Sequence, residues 1–142
     1  MTVGEEINFK IIDVTLMMIK WYLIFLAGGV GSMMRYVFSG FVCQLLGTRF
    51  PYGTLVINLL GCFIIGFLVT ITESKFLLSA NIRLALVVGF LGAFTTFSAF
   101  ILETANLIKD GQIFLAFTNI LVSVAVGLMV FYLGILLGKF LL

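Results

Sequence analysis

The segment GTLVINLLG, Gly53 to Gly61, sets Thr54, Asn58 and Gly61 at spacings of four and three, on one face of a helix. The chain around it is 63% hydrophobic and 10% charged. Inside a bilayer every polar group must pair, line water or lie against protein. Asn58 has two roles open to it. Its carboxamide can tie two helices through a hydrogen bond worth about 1 kcal/mol, or it can offer N–H donors to an anion without the fixed charge that would trap the ion. Downstream, GFLGAFTTFSAF from Gly89 to Phe100 packs two glycines, three hydroxyls and four phenylalanines into one stretch. Glycine entropy and hydroxyl competition for backbone groups weaken a helix there. Gly89, Gly92, Thr95, Thr96 and Ser98 then serve either as a smooth packing surface or as a break that frees carbonyls to coordinate a cation. Phe97 and Phe100, three apart, project to one side. Aromatic ring edges carry positive potential and can contact an anion; in a chain with sixteen phenylalanines the pair also suits core or lipid contact.

The remaining polar residues are few. Glu103 lies one turn past Phe100 and is expected to snorkel toward the interface, and Arg35 interrupts the first apolar run, where it can tie to a carbonyl or carboxylate. Asn119 and Ser123, four apart, can face a polar strip on another helix. Gly127, Gly134 and Gly138 form a stripe that reads as a packing face. Histidine is absent, which removes the commonest proton shuttle and metal ligand. Cys43 and Cys62 lie in apolar runs without metal-ligand spacing and read as packing residues. A thin net charge of +2 offers no basic patch for nucleic acid, and no nucleotide-binding motif is present.

Positioning these residues falls to an all-α membrane architecture. An ordinary soluble domain is about 25% charged, far above this chain, and about 20 apolar residues suffice to cross a bilayer. Four such runs stand out, over approximate helices 20–46, 52–73, 82–109 and 112–141. The connections GTRFPYG, ESKFLLSANI and KDGQ are short, so residues 17–142 form one four-helix domain. Pro51 is placed to open the second helix, and Asn81 to cap the third. Residues 1–16, with three acids and a lysine, form an N-terminal extension, either an interfacial amphipathic segment or a stretch upstream of a start at Met17. Lys10, Lys20, Lys75, Arg83 and Lys139 fall on one side of the membrane and Arg49 and Lys109 on the other. This bias is weak enough to permit insertion in either orientation.

Taken together, GGVGSMMRY (Gly28 to Tyr36), GTLVINLLG and GFLGAFTTFSAFILE (Gly89 to Glu103) resemble the Fluc (CrcB) fluoride channel family, in the right order and with a fourth apolar helix following. The resemblance runs from Met17 to the C-terminus. It implies a third helix broken near mid-membrane and an antiparallel, dual-topology homodimer, in a bacterial inner or archaeal plasma membrane. It also implies a structural Na⁺ at the dimer centre, held by the backbone carbonyls of Gly92 and Thr95. Asn58 would be the pore asparagine, Phe97 and Phe100 the aromatic box, and Arg35 and Glu103 the family's arginine and glutamate at structural or vestibule positions. Ala93, Phe94 and Ala99 depart from the pattern, but carbonyl coordination does not depend on side-chain identity.

A fluoride pathway on this reading runs along Thr54, Asn58, Thr96, Phe97, Ser98, Phe100 and Ser123. Fluoride is small and tightly hydrated, so the path must replace water's hydrogen bonds without holding the ion. Transport would be passive, and export of cytoplasmic fluoride would reduce its toxicity. The expected partners are fluoride, the lipid bilayer and a second copy of the chain, with no nucleic acid. Two rivals remain: a small proton-coupled anion or multidrug exporter dependent on Glu103, and a purely structural membrane subunit.

Overall fold

The computed structural model describes residues 3–75 and 78–142. Its elements are α1 (Val3–Leu46), α2 (Tyr52–Lys75), α3 (Ala80–Leu84), a π-helical segment (Ala85–Leu91), α4 (Gly92–Phe94), α5 (Phe97–Lys109) and α6 (Ile113–Leu141). Four stretches are long and apolar enough to cross a membrane: Lys10–Leu46, Tyr52–Thr72, Ala80–Lys109 and Ile113–Leu141. The protein is therefore an all-helical, multi-pass membrane protein. Its surface agrees, because large apolar side chains such as Phe97, Phe114 and Phe140 stand outward where lipid or protein, not water, must cover them.

The ends of these helices follow local chemistry. α1 is one unbroken helix from Val3, not a span opening near residue 20 after a separate extension. At 1.5 Å per residue it is about 66 Å long, against about 30 Å of hydrocarbon, so it runs past the bilayer. The amphipathic reading of residues 1–16 turns on side chains at 1–9 and 13, which lie outside the described residues, as does the Phe76–Leu77 pair of the second loop. Gly47 ends α1 with φ +84°, a left-handed conformation that suits glycine. Pro51 precedes α2 and its carbonyl accepts from Leu55 N–H. The cap of α3 is Ser79 rather than Asn81: Ser79 Oγ accepts from Ile82 N–H at 3.3 Å. Two residues earlier in the chain, a serine has its short hydroxyl aimed at the open N–H groups, while Asn81 already lies within the first turn.

Glycines set the packing. Gly66 lies against the Phe131 carbonyl, Gly134 against the Phe63 carbonyl and Phe67 N, and Gly138 against Thr70. Positions advance together along both helices, so α2 and α6 run parallel, and the expected glycine stripe of α6 is the surface that lets them touch. A second parallel pair joins α1 to the third span (Ala80–Lys109): Gly31 abuts Phe90 and Phe94, and Gly89 abuts Ile24 and Ala27. Between the pairs lies a small core of Ile57, Leu91 and Phe94, with Ile64, Ile65, Leu68 and Phe90 packed around it.

A side chain at Gly134 would meet backbone, which cannot rotate away. Gly134→Leu is expected to lower the thermal unfolding midpoint in detergent, reflecting an overpacking cost of about 1–3 kcal/mol. Gly29→Leu, a position with open space around it, should leave the midpoint near the wild-type value.

Candidate functional site

Helical hydrogen bonding in the third span stops at Phe94. Thr95 (φ −85°, ψ 160°) and Thr96 (φ −153°, ψ 119°) are extended, and α5 starts at Phe97. Thr95 closes the turn before the interruption, its N–H and Oγ1 both donating to the Leu91 carbonyl at 3.0 and 2.9 Å. The next donors are diverted. Thr96 N–H, which would bond the Gly92 carbonyl in a continuous helix, donates to Asn58 Oδ1 at 2.9 Å. Ala99 N–H, which would bond the Thr95 carbonyl, donates to Thr96 Oγ1 at 3.2 Å, the N-cap of α5.

Asn58 completes the arrangement from α2. Besides accepting from Thr96 N–H, its Nδ2 donates to the Thr96 carbonyl at 3.0 Å. One carboxamide thus pairs with both backbone groups of an extended residue, as a neighbouring strand would. Only a side chain with donor and acceptor on one planar group can do this. Gly61, one turn further along α2, lies directly under the Thr95 side chain, where any larger residue would displace it. The face expected for Thr54, Asn58 and Gly61 is therefore the face on which the third span rests.

The third member of that face is engaged elsewhere. Thr54 Oγ1 donates to Glu103 Oε1 at 2.7 Å. This corrects the expectation that Glu103 snorkels outward: α5 presents Glu103 to α2, where Oε1 is satisfied and Oε2 is buried without a partner. Arg35 meets a carbonyl rather than a carboxylate, its Nη1 reaching 3.5 Å from the Thr95 carbonyl oxygen, the outer limit of a hydrogen bond.

Two open cavities meet at this seam. One, of about 1040 Å³, is lined by Arg35, Thr54, Thr96, Ser98 and Glu103 among others. The other, of about 370 Å³, is lined by Asn58, Cys62, Gly92, Thr95, Thr96 and Phe97 among others. Thr96 borders both. Its hydroxyl lies 3.2 Å from that of Ser98. Phe97 and Phe100 do pair, with centroids 5.6 Å apart and planes tilted by 42°, but their surroundings differ. Phe97 is 75% exposed on the isolated chain, and Phe100 is 8% exposed.

Ser123 is not brought to this cluster; it sits half-buried on α6 and lines neither cavity. Asn119 points instead into the α5 contact and donates to Thr104 Oγ1 at 2.9 Å. Thr104 was not singled out by sequence, because a threonine among apolar residues on a membrane helix carries no signal of its own until its partner is known. Among the described residues no group of three or more histidine, cysteine or acidic side chains could hold a metal.

A profile of the family described as "CrcB-like protein, Camphor Resistance (CrcB)" matches residues 22–135. This chain belongs to the CrcB family. Its CrcB relatives include proteins named "Fluoride-specific ion channel FluC". The one from Desulforapulum autotrophicum is 45% identical over 120 residues, covering 84% of this chain and 96% of its own length. Another, from Trichlorobacter lovleyi, is 48% identical over 113 residues, covering 80% and 89%. A third, from Dehalococcoides mccartyi, is 45% identical over 120 residues, covering 84% and 92%. The CrcB match takes in every residue of the seam, from Arg35 through Glu103.

The Asn58 clamp has a direct energetic consequence. Asn58→Leu would leave the Thr96 N–H and carbonyl unpaired, and is expected to cost about 1–3 kcal/mol for each of the two groups. Thermal unfolding in detergent, with hydrogen exchange at the Thr96 amide, would check this, and faster exchange at Thr96 is the expected local signature.

Proposed function

We propose that this chain is a passive, fluoride-selective ion channel that lets fluoride out of the cytoplasm and so lowers its toxicity; it is not an enzyme. The observation that carries this reading is its 45% identity to a protein named as a fluoride-specific channel, over 96% of that protein's length. The geometry of the seam supports it. Asn58 spends one Nδ2 hydrogen and Oδ1 on Thr96, and keeps a second N–H for an anion. Phe97 shares the smaller cavity with it, and Thr96 and Ser98 line the larger one. These groups can take over from water's hydrogen bonds without a fixed cation in the narrow path.

Two copies inserted in opposite orientations form the working unit in this proposal. A weak charge bias allows both insertions, and Gly92 and Phe97 are exposed on the single chain, a face for a partner to cover. A structural Na⁺ at the centre fits the residues present: the N–H groups that would bond the Gly92 and Thr95 carbonyls are diverted to Asn58 and to the Thr96 hydroxyl, and uncharged carbonyl oxygens suit a hard monovalent cation. When bound, Na⁺ would supply positive potential beside the pathway and satisfy those oxygens. The chain's own part is to hold them in place through the Asn58 clamp and the Thr96 cap.

One observation favours a second reading, the proton-coupled exporter: Glu103 Oε2 is buried without a partner, a place where a proton can reside. The two separate in liposomes. Purified protein is expected to release fluoride rapidly down its gradient and to pass negligible chloride, with severe loss in Asn58→Asp and Phe97→Ile. Glu103→Gln should still conduct, and a proton gradient should leave efflux unchanged. Silence of the wild-type protein, or efflux that requires a proton gradient and Glu103, would remove the channel reading.

A further inference from the structure

The interruption at Thr95 and Thr96 separates α5 from α4, so helix continuity no longer dictates how α5 is rotated. Side-chain bonds from other helices must do so. Two come from α2: the Asn58 clamp at the N-terminus and the Thr54 bond to Glu103. The third comes from α6 and is the most deeply enclosed. Asn119, 1% exposed, donates from Nδ2 to Thr104 Oγ1 at 2.9 Å, and Thr104 Oγ1 donates in turn to the Phe100 carbonyl at 2.7 Å.

We propose that Asn119 and Thr104 are positioning residues for Phe100, acting as a relay that sets the rotation and depth of the buried ring of the aromatic pair. This rests on the channel reading for its functional meaning. A hydroxyl that accepts one bond while donating another is polarised by both, so the relay is stiffer than two separate contacts. A hydroxyl bonded back to the carbonyl four residues earlier also tilts that carbonyl and bends the helix locally. The carbonyl here belongs to Phe100 itself. Apolar packing, such as that available to the buried Leu107 and Ala116, holds helices together but resists rotation weakly. A directional bond from α6 supplies the missing constraint on the rotation of α5, and it reaches that helix at the Phe100 carbonyl.

The test compares Thr104→Val and Asn119→Leu, which keep volume and remove the relay, with Thr104→Ser, which keeps the hydroxyl. All are reconstituted in liposomes after their oligomeric state is checked in detergent. Loss of one net hydrogen bond's worth of alignment should slow fluoride efflux about tenfold in each relay-breaking variant. Thr104→Ser should stay within about twofold of wild type, and the double variant should be no slower than either single, as for members of one coupled unit. A second readout does not depend on transport. Phenylalanine precedes isoleucine at 63–64 and 100–101 alone, so protein labelled with ¹³C at the phenylalanine carbonyl and ¹⁵N at isoleucine gives two carbonyl signals in a spectrum filtered through the ¹³C–¹⁵N coupling. The Phe100 signal should move in Thr104→Val and Asn119→Leu and return in Thr104→Ser, while that of Phe63 stays. Wild-type efflux from an assembled relay-breaking variant overturns the proposal, as does an unmoved Phe100 signal. Failure of both relay-breaking variants to assemble overturns it too, since the pair would then hold the fold and not the ring. An inert wild-type protein would sink the channel reading and leave the carbonyl shift to judge the relay.

Discussion

The third span depends on one carboxamide. A helix interrupted inside a membrane exposes N–H and carbonyl groups where no bulk water can receive them, at a cost of about 1–3 kcal/mol for each group left unpaired. Asn58 takes up both backbone groups of Thr96, and the Thr96 hydroxyl takes up the first donor of the helix that follows. With those three bonds made, two extended residues are tolerated between Phe94 and Phe97. The carbonyls of Gly92 and Thr95 lose their usual donors as a direct consequence, and Arg35 Nη1 approaches that of Thr95 at 3.5 Å.

Packing explains why this interruption sits where it does. The parallel pairs α1 with the third span and α2 with α6 are brought together by glycine, at Gly31 and Gly89 in one and at Gly66 and Gly134 in the other. Close approach of backbones makes up for the absence of a hydrophobic drive between helices in lipid. The π-helical segment Ala85–Leu91 lies where α1 presses closest, and such segments recur at sites where a helix must shift its register. Gly61 then gives the Thr95 side chain room against α2. Polar residues gather along the resulting seam, and the two cavities that flank it share Thr96.

Several elements were legible from residue order alone. The spacing of Thr54, Asn58 and Gly61 put the three on one face of a helix, while the glycines and hydroxyls from Gly89 to Ser98 left packing and a break both open. The α6 glycine stripe named its own packing surface. Partners were not legible. Glu103 turned onto Thr54 instead of reaching outward, Arg35 approached the Thr95 carbonyl, and Asn119 found Thr104 while Ser123 found none of the site residues. Ser79, not Asn81, capped α3, because a cap is decided by which side chain meets the open N–H groups and not by composition nearby.

By itself the sequence determined the solvent, the number of spans and the family, since apolar run length and motif order are properties of a string of residues. It also determined that uncharged donors and aromatic rings would be the available chemistry. Tertiary structure decided which donor meets which acceptor. A hydrogen bond is made or lost within a few tenths of an ångström, and the rotation of α5 after the interruption, which fixes the neighbours of Phe100, Glu103 and Thr104, is set by α2 and α6 together and by neither segment's own residues.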